Sequence, residues 1–211
     1  MEAPRSLWKP FALLAGISLL VALLLGALLG YAAHAQPRRN PAVQASTVAW
    51  LAARATVREA TRYPGNDGPA VAALIRAGGG NPADTPEYCG YTQTADQKAH
   101  GLPYPGGGMQ GAARCWFTND QGTVLLPRTF YYAGRRGVLD SIQVGDLLGF
   151  HSPIIHHITR CAAVVPPLRK GRPPRGFWSW GGNEGTWPKA GMKYSYYPGP
   201  NVTAAARWDY K

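Results

Sequence analysis

Acidic side chains are scarce in this sequence. The 211 residues include 11 Asp and Glu but 22 Lys and Arg, which gives a formal net charge of +11 at pH 7. This surplus of positive charge suits a polyanionic partner, such as a cell-envelope polymer or an anionic membrane surface, and it also favours solubility. The basic residues are scattered rather than clustered, which argues against nucleic acid as the partner.

Charge of either sign is absent from residues 11–33. This apolar run exceeds the roughly 20 residues that a membrane-spanning helix needs, and Arg5 and Lys9 precede it. Ala33-His34-Ala35 also fits the small-x-small pattern of a signal-peptidase site, so a retained anchor and a cleaved signal peptide are both open. We expect an exported, periplasmic or extracellular domain with this organisation: a signal peptide or anchor (1–35), a linker (36–45) and the domain itself (46–211).

Cysteine is rare, and its spacing limits what the thiols can do. The three cysteines, Cys89, Cys115 and Cys161, lack the close pairs of a metal site, such as C-x₂-C or H-x₃-H. We therefore expect neither a metal nor another cofactor. An odd number of cysteines in an exported chain leaves one thiol over unless it pairs with another chain. We expect a Cys115–Cys161 disulfide and a free Cys89, although spacing alone does not fix the connectivity.

Hydrophobic periodicity predicts helices in the first part of the domain and strands in the second. Ser46 is a candidate N-cap for a helix over residues 47–60. Pro69 suits the start of a second helix, which the glycines at 78–80 end. Short β-like runs bounded by Gly or Pro follow at 123–126, 129–132, 146–150, 157–165 and 177–180. This order predicts an α+β fold in which N-terminal helices pack on a small antiparallel sheet.

Cys89 lies in the stretch PEYCGYTQ, at the start of a third predicted helix. Thr85 can cap this helix and Pro86 can occupy its first position, which places Cys89 in the first turn. The unpaired backbone N–H groups and the positive end of the helix dipole favour a thiolate there. The placement therefore predicts a reactive cysteine.

A cysteine nucleophile needs a base, and two adjacent histidines are the candidates. His156 and His157 open the predicted strand HHITRCAAVV. Because side chains alternate along a strand, His157 shares a face with the small residues Thr159 and Cys161, which leaves room for the helix that carries Cys89. We therefore prefer His157 as the base and keep His156 as the alternative.

Four short segments occur in a recognisable order: Tyr88-Cys89-Gly90, VGDLLGF at 144–150, HITR at 157–160 and WGGNE at 180–184. They resemble the helix-start cysteine, the P-G-D-L-x-x-F strand, the H-V-G-I-V strand and the E-G-N turn of the CHAP (cysteine, histidine-dependent amidohydrolase/peptidase) family and related papain-like cell-wall hydrolases. The resemblance covers roughly residues 47–210. The chain departs from the pattern at three positions: Val144 replaces proline, Thr159 replaces glycine, and Gly181 stands where many members have glutamate.

The resemblance implies a papain-like fold and a role for each of three residues. Cys89 would be the nucleophile, His157 the general base and then the general acid, and Asn183 the residue that orients the imidazole. Glu184 is the alternative orienting residue, which would require the strand to run one residue out of the expected register.

The implied reaction is hydrolysis of an amide bond in the peptide part of peptidoglycan, through an acyl-enzyme and without a cofactor. A stem-peptide or cross-bridge endopeptidase and an N-acetylmuramoyl-L-alanine amidase both fit. The alternative function is a non-catalytic module that keeps the fold and binds envelope material.

Overall fold

The fold is given by a computed structural model. It describes residues 40–61, 65–84, 86–133, 138–151, 154–185 and 189–208. The predicted signal peptide or membrane anchor, residues 1–35, and the predicted cap Thr85 lie outside these ranges. None of the helices in the described ranges has the length and the apolar character needed to cross a bilayer.

Three α-helices precede the sheet in the described part of the chain: α1 (Pro41–Ala52), α2 (Pro69–Gly78) and α3 (Cys89–Ala99). The predicted start of α2 at Pro69 is confirmed, and the helix ends at Gly79, whose φ of +92° is a left-handed cap conformation. The prediction for α1, a helix over residues 47–60, is wrong at both ends. Asn40 caps α1, because its Oδ1 accepts a hydrogen bond from the Val43 N–H at 3.3 Å. Part of the predicted linker, residues 36–45, is therefore helical.

Helix α3 begins at Cys89 itself, so the predicted start at Pro86 is wrong. Tyr88 is the N-cap residue, and it makes no side-chain capping hydrogen bond. The N–H groups of the first turn consequently keep their hydrogen-bonding capacity. The cysteine thus lies closer to the N-terminus of the helix than was predicted from the sequence.

Six strands form one antiparallel sheet in the order β1-β6-β2-β3-β4-β5. The strands are β1 (Thr129–Tyr132), β2 (Leu147–Phe150), β3 (His157–Val165), β4 (Gly176–Glu184), β5 (Gly191–Pro198) and β6 (Val202–Ala206). The predicted α+β class with helices followed by an antiparallel sheet is confirmed. The predicted strand at 123–126 is wrong, since Leu125 forms only an isolated bridge with Thr118.

Helix α3 packs on β3 through a buried ion pair. Arg160 Nε lies 2.9 Å from Asp96 Oδ2, and both side chains are fully buried. Ile158 belongs to the same hydrophobic cluster as Cys89. Beyond His157, the prediction that the set containing Thr159 and Cys161 faces the helix is therefore wrong. The arginine can face the helix because Asp96 compensates its charge, and strand alternation alone does not show such a partner.

The three cysteines are all free and buried. The Cys161 side chain belongs to a cluster with Leu148 and Phe177, whereas the Cys115 sulfur contacts the Met109 sulfur at 3.8 Å. The predicted Cys115–Cys161 disulfide is therefore wrong, because each thiol is packed in different surroundings.

Candidate active site

Cys89 lies where the first turn of α3 meets the start of β3. Its sulfur is 3.8 Å from the backbone carbonyl oxygen of His156, and its side chain is 1% exposed. Helix α3 also approaches β4 closely at Gly182, where a Cβ would collide with Thr92 Oγ1 and come within 3.0 Å of the Tyr88 ring. The glycine at this position therefore lets the cysteine-bearing helix lie against the strand.

His157 is the residue that connects Cys89 to the sheet. It interacts with the Cys89 side chain, and its Nε2 lies 3.4 Å from Glu184 Oε1. That separation is within ion-pair range, although the two groups are not aligned as a hydrogen bond. The side chain of His156 is exposed, and this residue contributes its carbonyl oxygen to the cysteine.

The surroundings of His157 favour its protonated form. Burial by itself lowers the pKa of His157, but the interactions with Cys89 and Glu184 outweigh this effect and raise the pKa to about 10. At neutral pH the ring is therefore an imidazolium, flanked by a sulfur on one side and a carboxylate on the other.

Glu184 reaches His157 because β4 contains a bulge. The pairing of β4 with β5 shifts register between Gly181 and Glu184. A Cβ at position 181 would collide with Glu184 Oε1 and lie 2.7 Å from Thr159 Cγ2. The carboxylate of Glu184 thus occupies the space that a side chain at 181 would need, and a glycine there is required.

Two residues of β5 hold the other side of the Glu184 carboxylate. The Ser195 hydroxyl donates a hydrogen bond to Glu184 Oε2, and Tyr197 is hydrogen-bonded to the same side chain. Burial raises the pKa of Tyr197, and the charge of Glu184 raises it further, so its hydroxyl remains a neutral donor. Neither residue was predicted from the sequence, because β5 was not predicted. The residues that alternate with Ser195 and Tyr197 are Tyr194 and Tyr196, so the sequence gives no polar–apolar alternation that distinguishes the two faces of β5.

Asn183 lies inside the bulge, between Gly181 and Glu184. Its φ of +59° is left-handed, a conformation that asparagine adopts more readily than most residues. Its half-buried side chain lines the cleft next to the site. The contact with His157 that the sequence analysis assigned to Asn183 is made by its alternative, Glu184.

A cleft of about 300 Å³ opens over His157 and Glu184. Its other lining residues are Glu87, His151, His156, Asn183, Gly185 and Tyr197. His151 has a φ of +74°, an uncommon conformation for a residue with a side chain and one that is frequent at functional sites. Cys89 contacts two of the lining residues, His156 and His157, from the protein interior.

The fold and the arrangement of side chains at the site describe the kind of domain, but they do not assign the chain to a family. Within the described ranges, no group of three or more His, Cys, Asp and Glu residues is placed to hold a metal ion. Comparisons with family models, with curated proteins and with solved structures gave no match. What the structure shows is an α+β domain in which a histidine lies between a buried cysteine and a glutamate.

Proposed function

We propose that this domain is an exported cysteine hydrolase with a papain-like fold, similar to CHAP enzymes, which cleaves an amide bond in the peptide part of peptidoglycan. The observation that carries the proposal is that His157 contacts both Cys89 and Glu184. A nucleophile, a base and an orienting group in contact are what acyl transfer by a thiol requires.

The first half of the reaction forms an acyl-enzyme. The imidazolium of His157 favours the thiolate of Cys89, which attacks the carbonyl carbon of the scissile amide. The free N–H groups at the start of α3, including that of Cys89, donate to the oxyanion. His157 then protonates the leaving amine as the carbon–nitrogen bond breaks, which leaves a thioester on Cys89 and a neutral imidazole.

The second half regenerates the thiolate. Neutral His157 takes a proton from a water molecule, whose oxygen attacks the thioester carbon. The carbon–sulfur bond breaks, the product leaves as a carboxylic acid, and the imidazolium again lies beside the thiolate. Glu184 orients the ring in both steps, and Ser195 and Tyr197 hold Glu184 in place.

The bulge in β4 supports the likeness to the CHAP family at the position where the sequence departs from it. Many members have glutamate where this chain has Gly181, and here the carboxylate of Glu184 occupies the space next to Gly181. A glutamate three positions later in the chain would thus take the role that the resemblance assigns to the missing glutamate.

The choice of substrate rests on charge and on the N-terminal sequence. The net charge of +11 suits a polyanionic envelope polymer, and the apolar run at residues 11–33 suits export or anchoring by one transmembrane helix. Both a peptide-bond endopeptidase and an N-acetylmuramoyl-L-alanine amidase agree with the site, and neither needs a cofactor.

The second candidate function is a non-catalytic envelope-binding module with the same fold. The near-complete burial of Cys89, at 1% exposure, favours it. In that case Cys89 and His157 stabilise the packing of α3 on β3, and the protein binds peptidoglycan without cleaving it.

Digestion of purified peptidoglycan separates the two functions. The full-length protein in detergent is incubated with peptidoglycan beside Cys89→Ala and Cys115→Ala, and the released fragments are identified by mass spectrometry. We expect release by the wild type and Cys115→Ala but not by Cys89→Ala. Products with a new L-alanine N-terminus indicate the amidase, whereas cleaved stem or bridge peptides indicate the endopeptidase. Equal release by the wild type and Cys89→Ala would refute the hydrolase.

A further inference from the structure

The cleft differs in charge from the rest of the chain. The chain carries 22 Lys and Arg, yet none of these side chains is among the described residues that line the cleft. Two carboxylates, Glu87 and Glu184, do line it. Charge of one sign that is not compensated within a concave site concentrates ligands of the opposite sign there.

The charge of Glu184 is already compensated within the site. Its Oε1 lies 3.4 Å from the His157 ring, which is protonated at neutral pH, and its Oε2 accepts from Ser195. Glu87 is different, because its side chain is exposed and no residue in the described ranges forms an ion pair with it. Glu87 is therefore the carboxylate in the cleft that remains available to a ligand.

Glu87 is also close to the nucleophile along the chain. Glu87 lies two positions before Cys89, and Tyr88 stands between them. Tyr88 is fully buried against β4 at Gly182. This packing fixes the backbone between the carboxylate and the thiol. Glu87 therefore lines the cleft next to the start of the helix that carries Cys89.

We propose that Glu87 selects substrates with a protonated amino group close to the scissile amide. The chemical class is a peptide with a free N-terminus or with the free side-chain amine of a diamino acid next to the cleaved bond. This inference rests on the proposed function, since it names the substrate class of the same site.

One basic side chain approaches the cleft and supplies a matched control. Lys193 Nζ lies 3.7 Å from the point that a Cβ on the lining residue Gly185 would occupy. Removing its charge makes the cleft more negative, whereas removing the charge of Glu87 makes it less negative. The two neutral variants Glu87→Gln and Lys193→Gln should therefore act in opposite directions.

The charge preference can be measured without any turnover. Methanethiosulfonate reagents that carry an aminoethyl or a sulfonatoethyl group share one reactive centre, form a mixed disulfide with a thiolate and release sulfinate. Rates of modification at Cys89 are measured on the full-length protein by peptide mass spectrometry, at low salt and at about pH 8, which is below the pKa of about 10 of His157, so that the imidazole keeps its charge during the measurement. For Cys89, the rate with the cationic reagent is divided by the rate with the anionic reagent. This ratio is then divided by the same ratio measured for free cysteine, and the result reports the charge around the thiol.

We expect this ratio to exceed one in the wild type and to fall about fivefold in Glu87→Gln. It should fall further in Glu87→Lys and stay equal or rise in Lys193→Gln. A ratio that is the same in the wild type and in both Glu87 variants would overturn the inference.

A second arm uses a pair of peptides that differ only by acetylation of the amine next to the scissile bond. We expect kcat/KM to be lower for the acetylated peptide, and the difference to vanish in Glu87→Gln. Equal cleavage of both peptides by the wild type would overturn the inference and leave the hydrolase standing. If neither peptide is cleaved, the proposed function fails, and the modification rates still decide whether Glu87 sets the charge preference.

Discussion

The charge of the His157 imidazole depends on the two side chains that flank it. Cys89 and Glu184 raise the pKa of His157 to about 10 against the opposing effect of burial. In the proposed reaction, a ring that is protonated at neutral pH has a proton ready for the leaving amine. The charge of the ring would then depend partly on a carboxylate, Glu184, as well as on the thiol.

The substitution Glu184→Gln tests this dependence. Removing the negative charge should lower the pKa of His157, because the protonated ring loses a stabilising neighbour. If the proposed hydrolysis needs the protonated ring, whose pKa is about 10 in the wild type, the alkaline limb of activity should move to lower pH in this variant, and kcat should fall at least about tenfold. Titration of the imidazole by nitrogen-detected NMR measures the shift directly. An unchanged pKa would show that Glu184 does not orient or charge the ring.

The substitution Asn183→Gly separates the two candidate orienting residues. Glycine accepts the φ of +59° that position 183 adopts, so the bulge should persist without the amide side chain. We expect kcat within about threefold of the wild type, because Glu184 keeps its contact with His157. A loss as large as that of Glu184→Gln would assign the orienting role to Asn183 instead.

The element that places Glu184 is the bulge in β4, and Gly181 makes it possible. In Gly181→Ala, the new Cβ collides with Glu184 Oε1, so the carboxylate must move from its position beside His157. We expect a loss of activity comparable to Glu184→Gln, with a destabilisation of about 1–3 kcal/mol from overpacking. Gly106→Ala is the control, since a Cβ there meets nothing within 4 Å. Full activity in Gly181→Ala would contradict the steric role of this glycine.

The contact between α3 and β3 depends on the Asp96–Arg160 ion pair. Asp96→Asn leaves the Arg160 guanidinium buried without a charged partner, which should lower the free energy of unfolding by about 3–5 kcal/mol. Asp84→Asn is the matched control, because Asp84 is exposed in a short 3₁₀ turn. Urea unfolding monitored by tryptophan fluorescence compares the two variants. Equal stabilities would show that the ion pair does not hold the helix on the sheet.

Elements defined by local signals were predicted, and those defined by distant contacts were not. Pro69 and Gly79 delimit α2 within its own sequence, and His157 to Val165 reads as a strand from its β-branched residues. By contrast, β6 is VTAAA, and alanine has a low preference for strands. It forms a fully buried strand because β1 and β2 flank it on both sides.

The same distinction applies to the site. Cys89 was predicted from its position at a helix start, and His157 from its position at a strand start, both of which are local. Glu184 depends on a register shift between β4 and β5, and one residue of shift exchanges the faces of a strand. The sequence could therefore supply both Asn183 and Glu184 as candidates but not choose between them.

At the scale of the whole molecule, the positive charge and the acidic cleft have separate consequences. We expect the net charge of +11 to attract the chain to an anionic polymer at long range, and the carboxylates of the cleft to act only on a group that enters it. Binding to the polymer should consequently be sensitive to salt and independent of the catalytic residues.

Sedimentation with peptidoglycan tests this separation. We expect Cys89→Ala to sediment with peptidoglycan as well as the wild type at low ionic strength. Binding should fall steeply toward about 0.5 M salt, because the Debye length then shrinks to a few ångströms. Peptidoglycan whose carboxylates have been converted to amides is the control, and it should bind weakly at every salt concentration. Salt-independent binding, equal for native and amidated polymer, would show that shape or stacking rather than net charge brings the protein to the wall.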